Sequence, residues 1–301
     1  MIETNNPKVI LVNIIGGLGN QLFQFAFGTA AGATTGAKIL YCVDQVEHYK
    51  LHHGLEINKA FDVDLQFATK SEIEATLGIF HPPTMRRVLE KAAGFNINVR
   101  RNAHFESKTF SWSRLKESDE RAYCHGYWQS ERYFQENADA IAEKLGTPIG
   151  LTTEDRKIID EMHKYNSVAI HIRRGDYLTR KNQRVFHALQ RDYYIRAINE
   201  IRKHVSNPVY YVFSDDMKIA QASLIDSEEN YKFINHNRGK LSRNDLHLMS
   251  SAKHNIIANS SFSWWAAWLN RNKKKIVIAP DRWYQNPLKN TEIIPPNWRT
   301  V

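Results

Sequence analysis

The feature that most constrains the fold is a repeated alternation between short apolar runs and longer helix-compatible segments. The pattern opens with the β-branched run Val9–Ile15, a glycine-rich break and a helical segment at Gln21–Ala33. A second apolar run, Lys38–Val43, follows directly. A strand, a helix and a strand in this order and at this spacing predict a parallel sheet that is covered by helices.

The alternation restarts after a Gly/Pro segment, Gly146–Gly150, which is the best linker candidate. Apolar runs beyond it, beginning with Ser167–Ile172 and Val209–Phe213, alternate again with helical segments. We therefore predict an α/β protein in which two doubly wound Rossmann-like domains, residues 1–150 and 151–301, face a cleft. The weaker periodicity from Leu51 to about Glu120 predicts a helical, partly irregular insertion. Helices are predicted over Glu131–Leu145, ending at Gly146, and over Met217–Leu224.

Composition narrows the possible partners and compartment. The net charge of +9 favours acidic partners, but the longest pure basic run, Lys273–Lys275, is typical of a solvated helix end, and we expect no nucleic-acid binding. Two cysteines cannot make a disulfide scaffold or a zinc site, and the polar start Met1–Lys8 does not resemble a signal peptide. No apolar run approaches the roughly 18 residues that span a bilayer. We expect a cytoplasmic protein with at most peripheral membrane association.

Glycines separate the first predicted strand from the first helix, in the order Gly16-Gly17-Leu18-Gly19-Asn20. Glycines at such a turn let the backbone approach a ligand, and the helix N–H groups offer an anion site. Two alternatives remain: a turn that serves only packing, or a dinucleotide fingerprint with Asp44 about 25 residues later. Leu22 occupies the place of the third glycine of that fingerprint.

An arginine motif, His171-Ile172-Arg173-Arg174-Gly175-Asp176-Tyr177, directly follows a predicted strand. His171 and Arg173 share one face of the strand, because alternate residues do. A guanidinium at the end of a strand suits a phosphate and can stabilise a departing diphosphate. The alternative is an ion pair between Arg173 or Arg174 and Asp176.

Three further strand ends carry polar residues. A small-residue turn precedes a helix, where it can leave N–H groups for phosphate or merely cap the helix; its residues are Asn259, Ser260, Ser261, Phe262 and Ser263. Ser214 and Asp215 can contact a nucleoside, although a helix cap explains them as well, and His236, after another strand, can line the pocket for the base. Asp62-Val63-Asp64 spells the pattern of metal-dependent transferases, for which chance is the better explanation.

Four ordered motifs together resemble bacterial α-1,2-fucosyltransferases of glycosyltransferase family 11, and the resemblance covers nearly the whole chain. The motifs are Gly16–Phe27 (GGLGNQLFQFAF), His171–Tyr177 (HIRRGDY), Phe213–Asp216 (FSDD) and Ile257–Trp268 (IANSSFSWWAAW). The resemblance implies a GT-B fold, GDP-β-L-fucose as donor, inversion to an α-1,2 linkage onto a galactose-terminated oligosaccharide, and no cofactor or metal. A cytoplasmic enzyme would meet such an acceptor in lipid-linked form, as in O-antigen or capsule assembly.

The resemblance also implies roles for individual residues. Arg173 is expected to bind the donor diphosphate as a catalytic residue, with Asp176 beside it. His171, Asp176 and the turn at Ser260–Ser263 complete the donor site, and Asn20 reaches the diphosphate from the other domain. Gly17 and Gly19 are expected to bind the donor as well. A base for the acceptor hydroxyl is expected to be a carboxylate; Asp44, or alternatively Glu131, is a candidate by predicted position alone.

Three other functions remain open from the residues. The chain could be a GT-B transferase for another nucleotide sugar, which would prefer a different donor. It could be a dinucleotide oxidoreductase built on Gly17, Gly19 and Asp44, although this leaves the arginine motif unexplained. It could also be a non-catalytic nucleic-acid or glycan-binding module that relies on its positive charge.

Overall fold

The chain folds into two compact α/β units in a computed structural model that describes residues 8–47, 53–77, 103–107, 110–118, 120–174, 189–224, 229–286 and 292–301. The N-terminal unit is formed by the described residues within Met1–Asn58, Val63–Trp128 and Arg132–Lys144. The C-terminal unit is formed by those within Lys59–Asp62, Gln129–Glu131 and Leu145–Val301. The chain therefore passes between the units more than once.

The N-terminal unit contains a parallel sheet of four strands in the order β2-β1-β4-β3. The strands are β1 Val9–Asn13, β2 Lys38–Cys42, β3 Ala103–Phe105 and β4 Arg121–His125. The helices of the region are α1 Leu18–Thr35, α2 Asp44–Glu47, α3 Ile57–Ala60, α4 Lys70–Leu77, α5 Trp112–Lys116 and α6 Ala138–Lys144. Since all four strands run in one direction, their carboxyl ends lie along one edge of this sheet.

The C-terminal unit contains a parallel sheet of six strands in the order β10-β9-β8-β5-β6-β7. The strands are β5 Asn166–Ile172, β6 Pro208–Ser214, β7 Asn230–Ile234, β8 His254–Ile256, β9 Val277–Ala279 and β10 Arg299–Thr300. The helices are α7 Thr153–Lys164, α8 Arg191–Arg202, α9 Met217–Leu224, α10 Asn244–Ser251 and α11 Ser261–Leu269.

Burial on both faces explains why the central strands read as continuous apolar runs rather than alternating ones. Six of the seven residues of β5 are buried, and the five central residues of β6 are buried as well. Helix α8 covers this core with the apolar face that its sequence predicts; the buried residues of that face are Tyr193, Tyr194, Ala197, Ile198 and Ile201. A smaller core in the N-terminal unit gathers Leu11, Leu40, Cys42, Ile73 and Tyr123.

Two sequence expectations differ from the structure in detail. The predicted insertion contributes a strand, β3, which pairs in parallel with β4, so part of that region belongs to the sheet itself. The helix expected over Glu131–Leu145 is replaced by 3₁₀ turns at Glu131–Tyr133 and Gln135–Asn137 followed by the short helix α6.

Candidate functional site

The carboxyl end of β5 occupies the topological switch point of the C-terminal sheet. From β5 the chain proceeds to β6 and β7 on one side, and then returns to β8 and β9 on the other. Ligands of doubly wound sheets bind where the strand order reverses, outside the carboxyl ends of the strands. His171 is the last residue but one of β5, and Arg173 follows the strand immediately.

The Arg173 guanidinium is held by a carboxylate from the neighbouring strand end. Arg173 Nη1 lies 3.0 Å from Asp215 Oδ2, and the backbone N–H of Arg174 donates to Asp215 Oδ1 at 2.9 Å. The two charged side chains remain about one quarter exposed, at 29% and 23%. Asp215 therefore fixes the direction of a cation that solvent can still reach. Asp176, the partner considered from the sequence, lies outside the described residues.

His171 is a buried, neutral imidazole beside this cation. Its side chain is 6% exposed, and its ring centroid lies 5.9 Å from that of Phe262. Burial, together with the positive charge of Arg173, lowers the pKa of His171 to about 3. Its Nδ1 has no hydrogen-bond partner among the described residues. Because buried polar atoms are almost always paired, this nitrogen marks a position where a ligand can supply the missing bond.

The N-terminus of α11 lies beside His171, as the contact with Phe262 shows. Ser260 is the N-cap, yet its side chain makes no capping bond. Asn259 Nδ2 donates to the carbonyl of Trp283 at 2.9 Å, and Ser263 Oγ donates to the carbonyls of Ala258 and Ser260 at 3.3 Å. These bonds anchor the turn, while the first-turn N–H groups, including that of Ser261, have no intrahelical acceptor and can face an anion.

The three residues at the end of β6, Ser214, Asp215 and Asp216, have different roles. Ser214 Oγ accepts from the backbone N–H of Asp216 and donates to its carbonyl, each at 3.0 Å, which closes the turn. Asp216 Oδ1 accepts from the N–H of Ile219 at 3.1 Å and so caps α9. Asp215 alone of the three turns toward the arginine motif. The cap expected as an alternative is therefore present, at Asp216.

A comparison with protein families decides the classification. The family model described as "Glycosyl transferase family 11" matches residues 9–301. The chain belongs to glycosyltransferase family 11. This family 11 glycosyltransferase is 32% identical over 296 residues to an Escherichia coli protein named alpha-1,2-colitosyltransferase, covering 97% of this chain and 98% of that one. It is also 30% identical to the E. coli O-antigen biosynthesis glycosyltransferase WbnK, covering 89% and 93%.

A solved structure agrees with this fold. A mutant of FUT1 from Arabidopsis thaliana, in complex with GDP, matches the family 11 chain with a TM-score of 0.50 at 10% identity, covering 92% of this chain and 71% of that one. The predicted GT-B-like α/β class is confirmed. Among the described residues, no helix has the length and apolar character to cross a bilayer.

The glycine motif of the family 11 chain forms the tight turn that its sequence predicts. Gly16 has φ +80°, and a Cβ there would come within 2.5 Å of Asn20 Nδ2. Gly17 is the N-cap of α1, which carries no acidic residue in its first turn, and Gly19 is buried within that turn. Asn20 lies next to it and is partly exposed. The turn thus presents uncapped helix N–H groups at the carboxyl edge of the N-terminal sheet.

The two carboxylates considered as a base lie in different units. Asp44 is the first residue of α2, follows β2 and is exposed at the carboxyl edge of the N-terminal sheet. Glu131 lies in the C-terminal unit, where its Oε1 accepts from Trp268 Nε1 at 2.8 Å. This contact gives Glu131 a structural task, and Asp44 stays the candidate base.

Two glutamines that the sequence analysis did not single out shape the N-terminal edge. Gln21 Nε2 donates to the carbonyls of Gly16 and Gly54, and its Oε1 accepts from the N–H groups of Glu56 and Ile57. Gln24 links the loops after β1 and β4 in the same way. Both side chains are fully buried. The signal that could have found them is polarity at two positions three apart in an otherwise apolar helix.

A buried carboxylate, Asp155, organises the loop that follows β7. Asp155 forms a capping box with Thr152 at the start of α7, and it also accepts from His236, Asn237 and Asn244 at 2.8 to 2.9 Å. Burial opposes its ionisation, but these hydrogen bonds outweigh that effect and lower the pKa of Asp155 to about 2. The sequence suggested His236 as a base-pocket residue; its ring Nε2 is committed to Asp155.

Proposed function

We propose that this protein is an inverting galactoside α-1,2-fucosyltransferase that moves L-fucose from GDP-β-L-fucose to the 2-OH of a terminal galactose in a surface glycan. The observation that carries the proposal is Arg173 at the switch point, aimed by Asp215 and flanked by neutral His171 and the N-terminus of α11. Family membership and the four motifs that resemble α-1,2-fucosyltransferases support fucose as the transferred sugar and α-1,2 as the linkage.

The reaction needs charge stabilisation more than covalent chemistry from the protein. The acceptor 2-OH oxygen attacks C1 of fucose from the face opposite the diphosphate, the C1–O bond to the β-phosphate breaks, and GDP leaves with the bonding pair. The hydroxyl proton passes to a base, for which Asp44 is our candidate, or to water. Arg173 and the helix N–H groups stabilise the negative charge that grows on the diphosphate. We propose that these groups suffice without a metal ion or cofactor.

A calorimetric titration in excess EDTA tests the donor site. GDP should bind, whereas UDP, ADP and NAD⁺ should bind at least tenfold more weakly or not at all. Binding of another nucleotide in preference to GDP would favour a transferase with a different donor. A strict requirement for a divalent ion would contradict the metal-independent mechanism and would make Asp62 and Asp64 candidate metal ligands.

Colitosyl transfer is a second candidate function, because the relative that matches over 97% of this chain bears that name. Colitose is L-fucose without its 3-hydroxyl, so the two donors differ by one hydroxyl group. A site that hydrogen-bonds this hydroxyl would reject the deoxy sugar strongly, whereas an apolar lining would discriminate weakly. The ratio of kcat/KM for GDP-fucose and GDP-colitose, measured on one galactoside, decides between the two functions.

The acceptor is proposed to be a galactose-terminated, lipid-linked oligosaccharide met at the cytoplasmic face of a membrane. One similar protein is named for O-antigen biosynthesis. The positive net charge of this chain would favour peripheral association with anionic lipid. Transfer to lipid-linked galactosides in vesicles that falls with rising salt, while transfer to free oligosaccharides does not, would support this location.

A further inference from the structure

Two exposed aromatic rings occupy neighbouring strand ends at the carboxyl edge of the N-terminal sheet. Phe105 is the last residue of β3 and pairs in register with His125, the last residue of β4. Tyr127 follows two residues after His125. Tyr127 is 45% exposed and Phe105 is 37% exposed, and the Phe105 and His125 ring centroids lie 5.9 Å apart. Ligands of parallel sheets bind at this edge, where aromatic surface is therefore informative.

The peptide group that joins Gly126 to Tyr127 is held by hydrogen bonds at both its carbonyl and its N–H. Gln24 Nε2 donates to the carbonyl of Gly126 at 3.0 Å, and Glu106 Oε2 accepts from the N–H of Tyr127 at 2.7 Å. A Cβ at Gly126 would lie 2.4 Å from the Cβ of Glu106, so only glycine allows Glu106 to approach this closely. The turn is thus tied to both α1 and β3.

The next residue, Trp128, adopts a backbone conformation that bulky residues avoid. Its φ is +55°, and its side chain is fully buried. The indole stacks on Phe27 with a centroid distance of 3.8 Å and packs edge-on against Phe110 and Tyr133 at 5.0 and 5.1 Å. Strain of this kind persists only where surrounding packing enforces it, and it concentrates at functional sites. Trp128 points into the core and leaves Tyr127 presented to solvent.

We infer that Tyr127 and Phe105 form a stacking platform for the galactose of the acceptor. One face of galactose is apolar, because the axial 4-OH leaves the C3, C4 and C5 hydrogens together on the opposite side, and such a face packs on aromatic rings. A rigid aromatic ring gives contact area at little cost in conformational entropy. This inference rests on the proposed function, which requires a galactoside, and it assigns acceptor binding to described residues of the N-terminal unit.

Variants of Tyr127 test the platform in the full-length protein. Tyr127→Ala should raise KM for lactose about fivefold to tenfold at saturating GDP-fucose, with kcat and the Kd for GDP close to wild type. Tyr127→Phe keeps the ring and should restore most of the affinity. Tyr165→Ala is the matched control, since Tyr165 is 46% exposed but precedes β5 in the other unit; it should leave KM unchanged.

Saturation-transfer NMR gives a readout that does not depend on turnover. Lactose, methyl β-galactoside and N-acetyllactosamine should show transfer to galactose protons with wild type and with Tyr165→Ala, and reduced transfer with Tyr127→Ala and with Phe105→Ala. Unchanged signals and unchanged KM in both platform variants would overturn the inference, as would absence of galactoside signals in wild type. Galactoside signals that depend on Tyr127 in a protein that transfers no fucose would instead contradict the proposed donor and leave the platform standing.

Discussion

Arg173 is the residue on which the donor site depends most directly. Arg173→Ala should lower kcat by about 10²- to 10³-fold, because one preorganised cation is removed from the leaving diphosphate. Circular dichroism and the melting temperature should stay close to wild type, since the side chain is partly exposed and its ion pair with Asp215 is partly exposed as well. Steady-state kinetics with GDP-fucose checks the prediction.

The control for this substitution is Arg202→Ala. Arg202 also pairs with a carboxylate at 3.0 Å, Glu229, but its side chain is 59% exposed on α8 and distant in sequence from the motif. Its replacement should leave kcat unchanged. A kcat within threefold of wild type for Arg173→Ala would show that this arginine serves structure alone.

Asp215 is a positioning residue, and its substitution should act through Arg173. Asp215→Asn keeps the size of the side chain but weakens its hold on the guanidinium, so kcat should fall about tenfold, less than for Arg173→Ala. The double variant should be no worse than Arg173→Ala alone, because the two residues act as one unit. Additive losses in a double-mutant cycle would mean that Asp215 contacts the donor independently.

At the scale of elements, helix α1 holds the loops at the carboxyl edge of the N-terminal sheet, and the Gln21 side chain makes its main hydrogen bonds to them. Gln21→Ala should lower the free energy of unfolding by roughly 1–3 kcal/mol, because it removes the hydrogen bonds that Gln21 makes to the Gly54 carbonyl and the buried Glu56 N–H. Urea unfolding measures the change. Gln66→Ala is the matched control, since the Gln66 side chain is exposed. Equal stability of the two variants would show that water replaces the lost bonds.

An element can be predicted from the sequence when local sequence features stabilise it, and cannot when its stability comes from tertiary pairing. Helix Met217–Leu224 has the predicted bounds, and the strands around β5 are predictable because burial on both faces leaves continuous apolar runs. Strand β3, with only three residues and a buried histidine, has no such run. It becomes a strand because β4 offers it hydrogen-bonding partners, a tertiary effect that local propensity cannot report.

The same distinction applies to the candidate site. Arg173 and His171 are predictable as site residues, because polar side chains at the end of an apolar strand are unusual and indicate a functional role. The pairing of Arg173 with Asp215 joins residues 42 apart along the chain and needs the β5–β6 register to appear. The contact between Glu106 and Gly126 is not predictable for the same reason, because it depends on the β3–β4 pairing.

At the scale of the whole molecule, the pair of carboxylates around Asn237 links stability to pH. Asn237 Nδ2 donates to Asp155 at 2.8 Å and to Asp245 at 3.0 Å, so two acidic groups share one amide. Burial, reinforced by the charge of Asp155, raises the pKa of Asp245 to about 7, although Asn237 and His236 act against this. The fold therefore favours Asp245 in its protonated form.

The direction in which pH changes the stability follows from which state, folded or unfolded, binds the Asp245 proton more tightly. Between its ordinary pKa of 3.8 and about 7, Asp245 keeps its proton in the folded protein and loses it in the unfolded chain, so rising pH reduces stability across this window. Above about pH 7, Asp245 is ionised in both the folded and the unfolded protein, so the loss of stability no longer changes with pH. Asp155, with its lowered pKa, contributes in the opposite sense: its stabilisation is complete above pH 4 and is lost as the pH falls toward 2.

Asp245→Asn should therefore stabilise the protein increasingly with pH. The variant keeps an oxygen acceptor for Asn237 but carries no charge, so the excess of its melting temperature over that of wild type should be several degrees larger at pH 8 than at pH 5. The difference between the two proteins at each pH is the informative quantity, because titrating groups that do not interact with Asp245, such as His171, are common to both proteins and cancel. Asp160→Asn, at an exposed carboxylate on α7, serves as the control and should show no pH-dependent difference. A difference for Asp245→Asn that stays flat from pH 5 to pH 8 would mean that Asp245 is already ionised in the fold, and that Asn237 and His236 compensate its charge.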